Sequence, residues 1–417
     1  MRAITAPGEC PLLQADGAKL PMQLRAGAAT LPPRAGGKQG ASKPVEFPVQ
    51  VCEAQLPSGV RRATVEGRAV PVPARTPKRI VLIGDTGCRL KKSDDFFQAC
   101  DDGPAWPLAQ VARNAAAKHP DLVVHVGDYH YRESPCPDGL SGCAGSPWGY
   151  GFDTWRADVF DPLRPLLEKA PWVFARGNHE SCNRAGQGWF RFLDAVPWTE
   201  ERSCNDPAQD GVANFSDPYA VPLGGGTQLV VFDSSHSRGD AYAEADADYQ
   251  AYAKLMRQAE ALAAQAPHNI FVSHHPALGL VPGPNAVPQP SVQGLASVMR
   301  GLHPGTRFLP GFDLALHGHV HLFEALSFEG QLPATLIVGN SSSATEGALP
   351  TALEDRHVPY PETVVKHYAS RSGFGFAVLE RQKGANWRLQ EYDTGGRLVL
   401  TCRLKGNELA CRSVTKR

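Results

Sequence analysis

Nowhere in the 417 residues is there an apolar run approaching the roughly 18 that a membrane-crossing helix needs. Nor is there an excess of charge of one sign, since Lys plus Arg and Asp plus Glu stand at 42 each. The first absence predicts a soluble chain, and the second excludes a bulk field that would draw nucleic acid or an anionic membrane. Selection of any charged partner has to come from local arrangement. The cysteines include no C-x-x-C and are irregularly spaced, which argues against a zinc site. The opening residues MRAITAPGECPLL lack the apolar core of a secretory signal, a segment that a mature chain would have lost.

What is present begins with ten cysteines in a chain of ordinary globular composition, 42% hydrophobic and 20% charged. The length suits one large domain with appendages, or two domains. An even cysteine count in loop-rich stretches predicts disulfides, and with them a periplasmic or secreted location. Proximity pairs Cys88 with Cys100, Cys136 with Cys143, Cys182 with Cys204 and Cys402 with Cys411, leaving Cys10 for Cys52. Many other connectivities are open to ten cysteines, and free buried thiols are the plainer alternative.

Residues 1–76 are rich in Pro, Gly and Ala, with short alternating stretches at Val45–Cys52 and Arg62–Val72. They read as a small β-rich N-terminal appendage, with Leu31–Lys43 a flexible loop. From residue 77 to 417 the pattern changes. Apolar strands Arg79–Ile83, Leu122–Val126, Trp172–Ala175, Gln228–Phe232, Ile270–Val272 and Leu314–Leu316 alternate with helices expected at 105–119, 154–170, 187–195, 241–266 and 291–302. That alternation predicts a layered α/β domain with a mainly parallel sheet. Strands are expected again at Thr335–Gly339, Gly375–Leu379, Trp387–Asp393 and Leu398–Leu404, with 345–372 a polar loop.

Five of these strands end alike. They run into Gly84-Asp85-Thr86-Gly87, Gly127-Asp128, Gly177-Asn178-His179-Glu180, Ser273-His274-His275-Pro276 and His317-Gly318-His319-Val320-His321. One strand-end Gly-Asp is usually only a turn. Five strand ends bearing metal-competent side chains are not, because such ends on one sheet edge converge on a single crevice. Two Asp, an Asn, several His and Tyr131 make a mixed oxygen and nitrogen set, too many donors for one ion and about right for two.

In their order these blocks resemble the calcineurin-like metallophosphoesterase superfamily, and in particular its purple acid phosphatase branch. Each block alone is weak; their joint occurrence across residues 80–321 is specific. Many members of the superfamily have Asp-x-His in the first block, where this chain has Gly87. The second block instead supplies Tyr131 three residues after Asp128, as in the GDxxY of purple acid phosphatases. The resemblance implies a four-layer αββα sandwich and two metal ions. The first, Fe(III), would take Asp85, Asp128, Tyr131 and His321. The second, Fe(II), Zn or Mn, would take Asn178, His274 and His319, with Asp128 bridging both. A His-x-Pro alignment selects His274, whereas a Val-x-x-His spelling selects His275. His179 would stand over the leaving oxygen as the catalytic acid.

Beside these, His125 and His317 read as core histidines, Glu180 as an orienting or capping residue, and Asp233 as structural. His130 reads either as site lining or as plain loop. Arg176, Arg184 and Arg191 read as solvated surface, with Arg184 the one weighed for substrate phosphate. The function expected is hydrolysis of a small phosphate ester, most simply a monoester, by hydroxide generated at the two cations. A phosphodiesterase or nucleotide hydrolase on the same centre is the alternative within enzymes, and a catalytically silent metal- or phosphate-binding protein is the alternative outside them.

Overall fold

The computed structural model describes residues 1–284, 287–306, 308–350, 352–353 and 363–414. Two seven-stranded mixed sheets dominate it. The first runs Trp172–Phe174, Leu122–His125, Arg79–Ile83, Gly375–Arg381, Trp387–Asp393, Leu398–Lys405, Glu408–Ser413. Its first three strands are parallel and the rest antiparallel. The second runs Tyr219–Gly224, Thr227–Val231, His268–Val272, Leu314–His317, Ala334–Val338, Phe323–Phe328, Val365–Arg371, with its four parallel strands in the middle.

Strand alternation builds the layers. Ile80, Leu82, Leu122 and Val124 face Leu229, Val231, Ile270, Val272, Leu314 and Leu316 in a core between the sheets. Their neighbours Val81, Ile83 and Val123 point outward to helix Leu108–Ala116 and the residues 155–192. Val230, Phe271 and Ala315 point the other way, to helices Ala247–Ala263 and Gln293–Leu302. Period-2 strands buried on both faces need cover on both sides, and the result is the αββα sandwich. The two sheets packed face to face are those the resemblance implied, each with its parallel strands together.

The element boundaries differ where local chemistry intervenes. The helix expected at 154–170 is broken into Phe152–Trp155, a π-turn at Arg156–Phe160 and a short helix Arg164–Leu167. Pro162 and Pro165 lack the N–H groups a continuous helix would use. The helix expected from 241 starts at Ala247, because Asp246 turns back to accept from Ala243 N at 3.1 Å and pair with Arg238. Within 345–372, Val365–Arg371 is a strand; residues 351 and 354–362 lie outside the described residues.

Strands before residue 71 pair only with one another, in three small sheets. The Leu31–Lys43 segment is anchored at two points: Lys38 N donates to Asn183 O at 2.8 Å, and Arg34 meets Cys204 O and Asp210. Buried Arg25 donates to the carbonyls of Phe190, Arg191, Asp194 and Val196 and pairs with Glu53. All five cysteine pairs formed by proximity are disulfides, and no cysteine is free. No helix among the described residues is long and apolar enough to cross a membrane.

Arg25→Ala takes the arginine donor from the carbonyls of Phe190, Arg191 and Val196, while Asp194 O and Glu53 keep Arg2. It is expected to lower unfolding stability by about 3 kcal/mol, read from the shift of the denaturant midpoint. An unchanged midpoint would mean that the N-terminal strands merely rest on the helical layer.

Candidate metal centre

The five strand ends named in the sequence meet at one edge of the sandwich. Asp85, Asp128 and Asn178 come from the first sheet, and His274, His319 and His321 from the second. The loops are tied to one another within each sheet, where Asp85 N donates to Gly127 O, Thr86 N to Asp128 O, and Gly318 N to His274 O, each at 3.0 Å, and across the seam, where His319 N donates to Asp85 Oδ2 at 3.1 Å. Asp85, Asp128 and His319 have left-handed backbones, with φ of 55°, 57° and 69°. Non-glycine residues rarely adopt this conformation, and here it turns three chemically active side chains into the seam.

Two donor groups result. Tyr131 Oη lies 3.0 Å from Asp85 Oδ1, 2.9 Å from Asp128 Oδ2 and 2.9 Å from His321 Nε2. His274 Nε2 lies 3.1 Å from Asp128 Oδ2 and 3.1 Å from Asn178 Oδ1, which is also 3.1 Å from His319 Nδ1. His274 Nδ1 donates to Val126 O at 3.0 Å and His321 Nδ1 to Ala344 O, so each turns its other nitrogen inward. His275 is held from behind by Ser234 Oγ at 3.1 Å, with its ring centroid 4.3 Å from that of His319.

A cation fits this donor set. One phenol proton cannot satisfy two carboxylate oxygens and an imidazole, and neither Asp85 nor Asp128 forms an ion pair with Lys or Arg among the described residues. Buried carboxylates this close require positive charge. The electrostatics agree. Burial would raise the Asp128 carboxyl, but His274 and His179 hold it well below the usual range. Burial would lower His274, but Asp128 raises it to about 9. Burial, and then Asp128 and Asp85, push the Tyr131 phenol well up, while burial and His274 push His319 down to about 3. The proton on His274 and a cation compete for one lone pair.

Tyr131 and Gly87 are coupled sterically. A Cβ on Gly87 would meet Tyr129 O at 2.6 Å and Tyr131 N at 2.8 Å, so the loop carrying the phenol occupies the place where a first-block histidine would begin. Gly177 is equally confined, with a Cβ there falling 2.1 Å from Asp128 Oδ1.

The His179 ring lies against that of Tyr131, tilted by 35° with centroids 3.8 Å apart, and its backbone N–H donates to Asp128 Oδ1 at 2.9 Å. Its Nδ1 lies 2.9 Å from both His130 O and Glu133 Oε1, and Arg184 Nη2 is 2.7 Å from its Nε2. Burial and then Arg184 bring the imidazole down to about 4. Arg184 is thus no solvated arginine: it is buried against Glu133. Arg176 pairs with Asp233 at 3.2 Å, and Arg191 donates to Gly27 O at 2.6 Å; both are buried too.

The supporting residues divide into those foreseen and those missed. Glu180 accepts from the N–H groups of Asp128, Tyr129, His130 and Gly177, so it orients the loops as expected. His125 joins Thr86 Oγ1 at 2.9 Å and Gly127 N at 3.2 Å, and His317 meets Ser273 Oγ at 3.0 Å. Missed were Glu133 and the stretch Gly339-Asn340-Ser341-Ser342-Ser343, another glycine-flanked strand end. Ser341 N donates to Gly84 O, and the N–H groups of Ser342 and Ser343 donate to Asp85 O. The glycine after strand Ala334–Val338 was the available signal; serine hydroxyls in place of metal donors hid it.

A sandwich of this kind with donor side chains at the strand ends of both sheets is that of a metallophosphoesterase. Residues 78–323 match the calcineurin-like phosphoesterase family, and the chain belongs to it. It is a phosphoric ester hydrolase. The fold is similar to purple acid phosphatase PPD1 from yellow lupin (Lupinus luteus) seeds, at 16% identity and TM-score 0.53 over 93% of this chain and 68% of that one. It is similar also to PhoD, at 13% identity and TM-score 0.51 over 100% and 92% of the two chains. No protein of curated function matches the sequence.

Gly177→Ala is expected to displace Asp128 and cut phosphate-ester turnover roughly 100-fold, while leaving the far-ultraviolet circular dichroism unchanged. Activity within twofold of wild type would show that the Asp128 carboxylate has room to move.

Proposed function

We propose that the chain is a dinuclear phosphomonoesterase of the purple acid phosphatase kind, acting in the periplasm or as a secreted protein. Asp85, Asp128, Tyr131 and His321 would hold one ion, and Asn178, His274 and His319 the other. The observation that carries this reading is the position of Asp128 Oδ2, 2.9 Å from Tyr131 Oη and 3.1 Å from His274 Nε2, at the join of the two donor groups. His274 is taken over His275 because it alone of the two reaches both Asp128 and Asn178. The phenol and two carboxylates favour Fe(III) at the first position; the amide and imidazoles suit Fe(II), Zn or Mn at the second.

When bound, the ions lower the pKa of water and neutralise charge on a phosphoryl group. The chain's own residues do the rest. The Asn178 and His319 side is the least buried part of the centre, and a small phosphate ester enters there. His179, held by His130 O and Glu133, is assigned to the leaving oxygen, to which it can give a proton only when a bound phosphate draws Arg184 off its Nε2. The guanidinium of Arg184 beside it favours a doubly charged monoester over a diester. The balanced charge of the chain, 42 against 42, supports a small-molecule partner over nucleic acid or membrane. The five disulfides support the oxidising location. Residues 1–76 are proposed to be a β-rich appendage to a catalytic domain at 77–417.

Metal analysis and a visible spectrum test the centre. Wild type is expected to be purple or pink, and Tyr131→Phe to lose the colour; an iron-free, colourless and active wild type would contradict the ferric assignment. For His179→Ala, kcat on a chromogenic monoester is expected to fall about 100-fold with metal content unchanged. Faster turnover of the matching diester than of the monoester would overturn the substrate assignment.

A further inference from the structure

Asp158 is wholly buried and takes no part in the donor set, yet it binds both loops that carry the oxygen donors. Its Oδ1 accepts from Cys88 N at 3.1 Å, just beyond the first block, and its Oδ2 accepts from Tyr131 N at 3.0 Å. Arg132 balances its charge through Nε at 2.6 Å, itself buried over the Trp106 ring. Leu90 N donates to Tyr131 O at 3.0 Å, so the backbone of Tyr131 is fixed on both its N–H and its carbonyl.

The carboxylate reaches this point because of an irregularity. Asp158 lies in the π-turn Arg156–Phe160, where Asp161 N bonds Arg156 O, five residues back, at 2.9 Å. One residue more in a turn rotates the following chain by about 100°, and such turns recur at functional sites. A Cβ on Gly87 would also meet Asp158 Oδ2, at 2.8 Å. The same carboxylate therefore fills the first-block histidine's space and holds the residue that replaces it.

We infer that Asp158, with Arg132 as its counter-ion, is a positioning residue that sets the Tyr131 phenol in the metal centre. This rests on the reading of Tyr131 as a ligand given above. A carboxylate serving only as a core ion pair would affect stability alone; one that sets Tyr131 also controls the bond between phenol and metal.

The test uses the full chain loaded with Fe(III) and Zn(II), as wild type, Asp158→Asn and Asp158→Asn/Arg132→Met. The double variant removes both charges, so that no lone arginine is left buried if the single variant fails to fold. Circular dichroism and disulfide content establish the fold. The visible band of the double variant is expected to shift or weaken at equal iron content, with affinity at one of the two metal positions lowered roughly 10–100-fold. A folded double variant with the wild-type band and both wild-type affinities would overturn the inference. A colourless wild type defeats the ferric assignment instead, and zinc affinities by chelator competition then decide: loss at one position supports the role of Asp158, and two unchanged positions refute it.

Discussion

Asp85 and Asp128 are buried side by side with a phenol between them, and much of the surrounding structure answers to that concentration of negative charge. Carboxylates in a low-dielectric seam have to be held where a cation can reach them and kept from relaxing apart. The left-handed backbones at both residues aim the side chains inward. Glu180 gathers four N–H groups of the second and third loops, His125 links the first loop to the second, and the serines after Gly339 fasten the first loop to the other sheet. Asp158 ties the first and second loops from the outside. Without these attachments the donors would be side chains on five separate loops.

The candidate site was legible because its sequence signal is local. A β-branched run ending in glycine and a donor fits in a few residues, and repeating it five times gives the convergence its meaning. The inter-sheet strands were legible for the same reason. What escaped depends on partners distant in the chain. Arg176, Arg184 and Arg191 look like surface residues until Asp233, Glu133 and Gly27 O are brought against them. Strand Phe323–Phe328 was missed because its buried Glu324 and Ser327 break the apolar pattern, and Val365–Arg371 because it is polar. The two-sheet arrangement came from the family resemblance, since strand-helix alternation alone reads as one parallel sheet.

The N-terminal strands illustrate the same limit. Their alternation was visible, but nothing local in Leu31–Lys43 indicates that Arg34 and Lys38 dock on the segment closed by Cys182–Cys204. Ala41, Val45, Phe47 and Val51 enter the core under the helical layer, whereas Leu13, Met22, Cys52 and Ala63 form a cluster of their own. The segment is therefore both a separate set of sheets and a wall of the helical layer that carries His179 and Arg184.

In the proposed centre one carboxylate, Asp128, would serve two ions. Anomalous diffraction at the iron and zinc edges from crystals of the metal-loaded protein measures this directly. The account predicts two ions about 3.5–4 Å apart with Asp128 between them and Tyr131 on one ion alone. A single ion, or two ions that do not share Asp128, would contradict it.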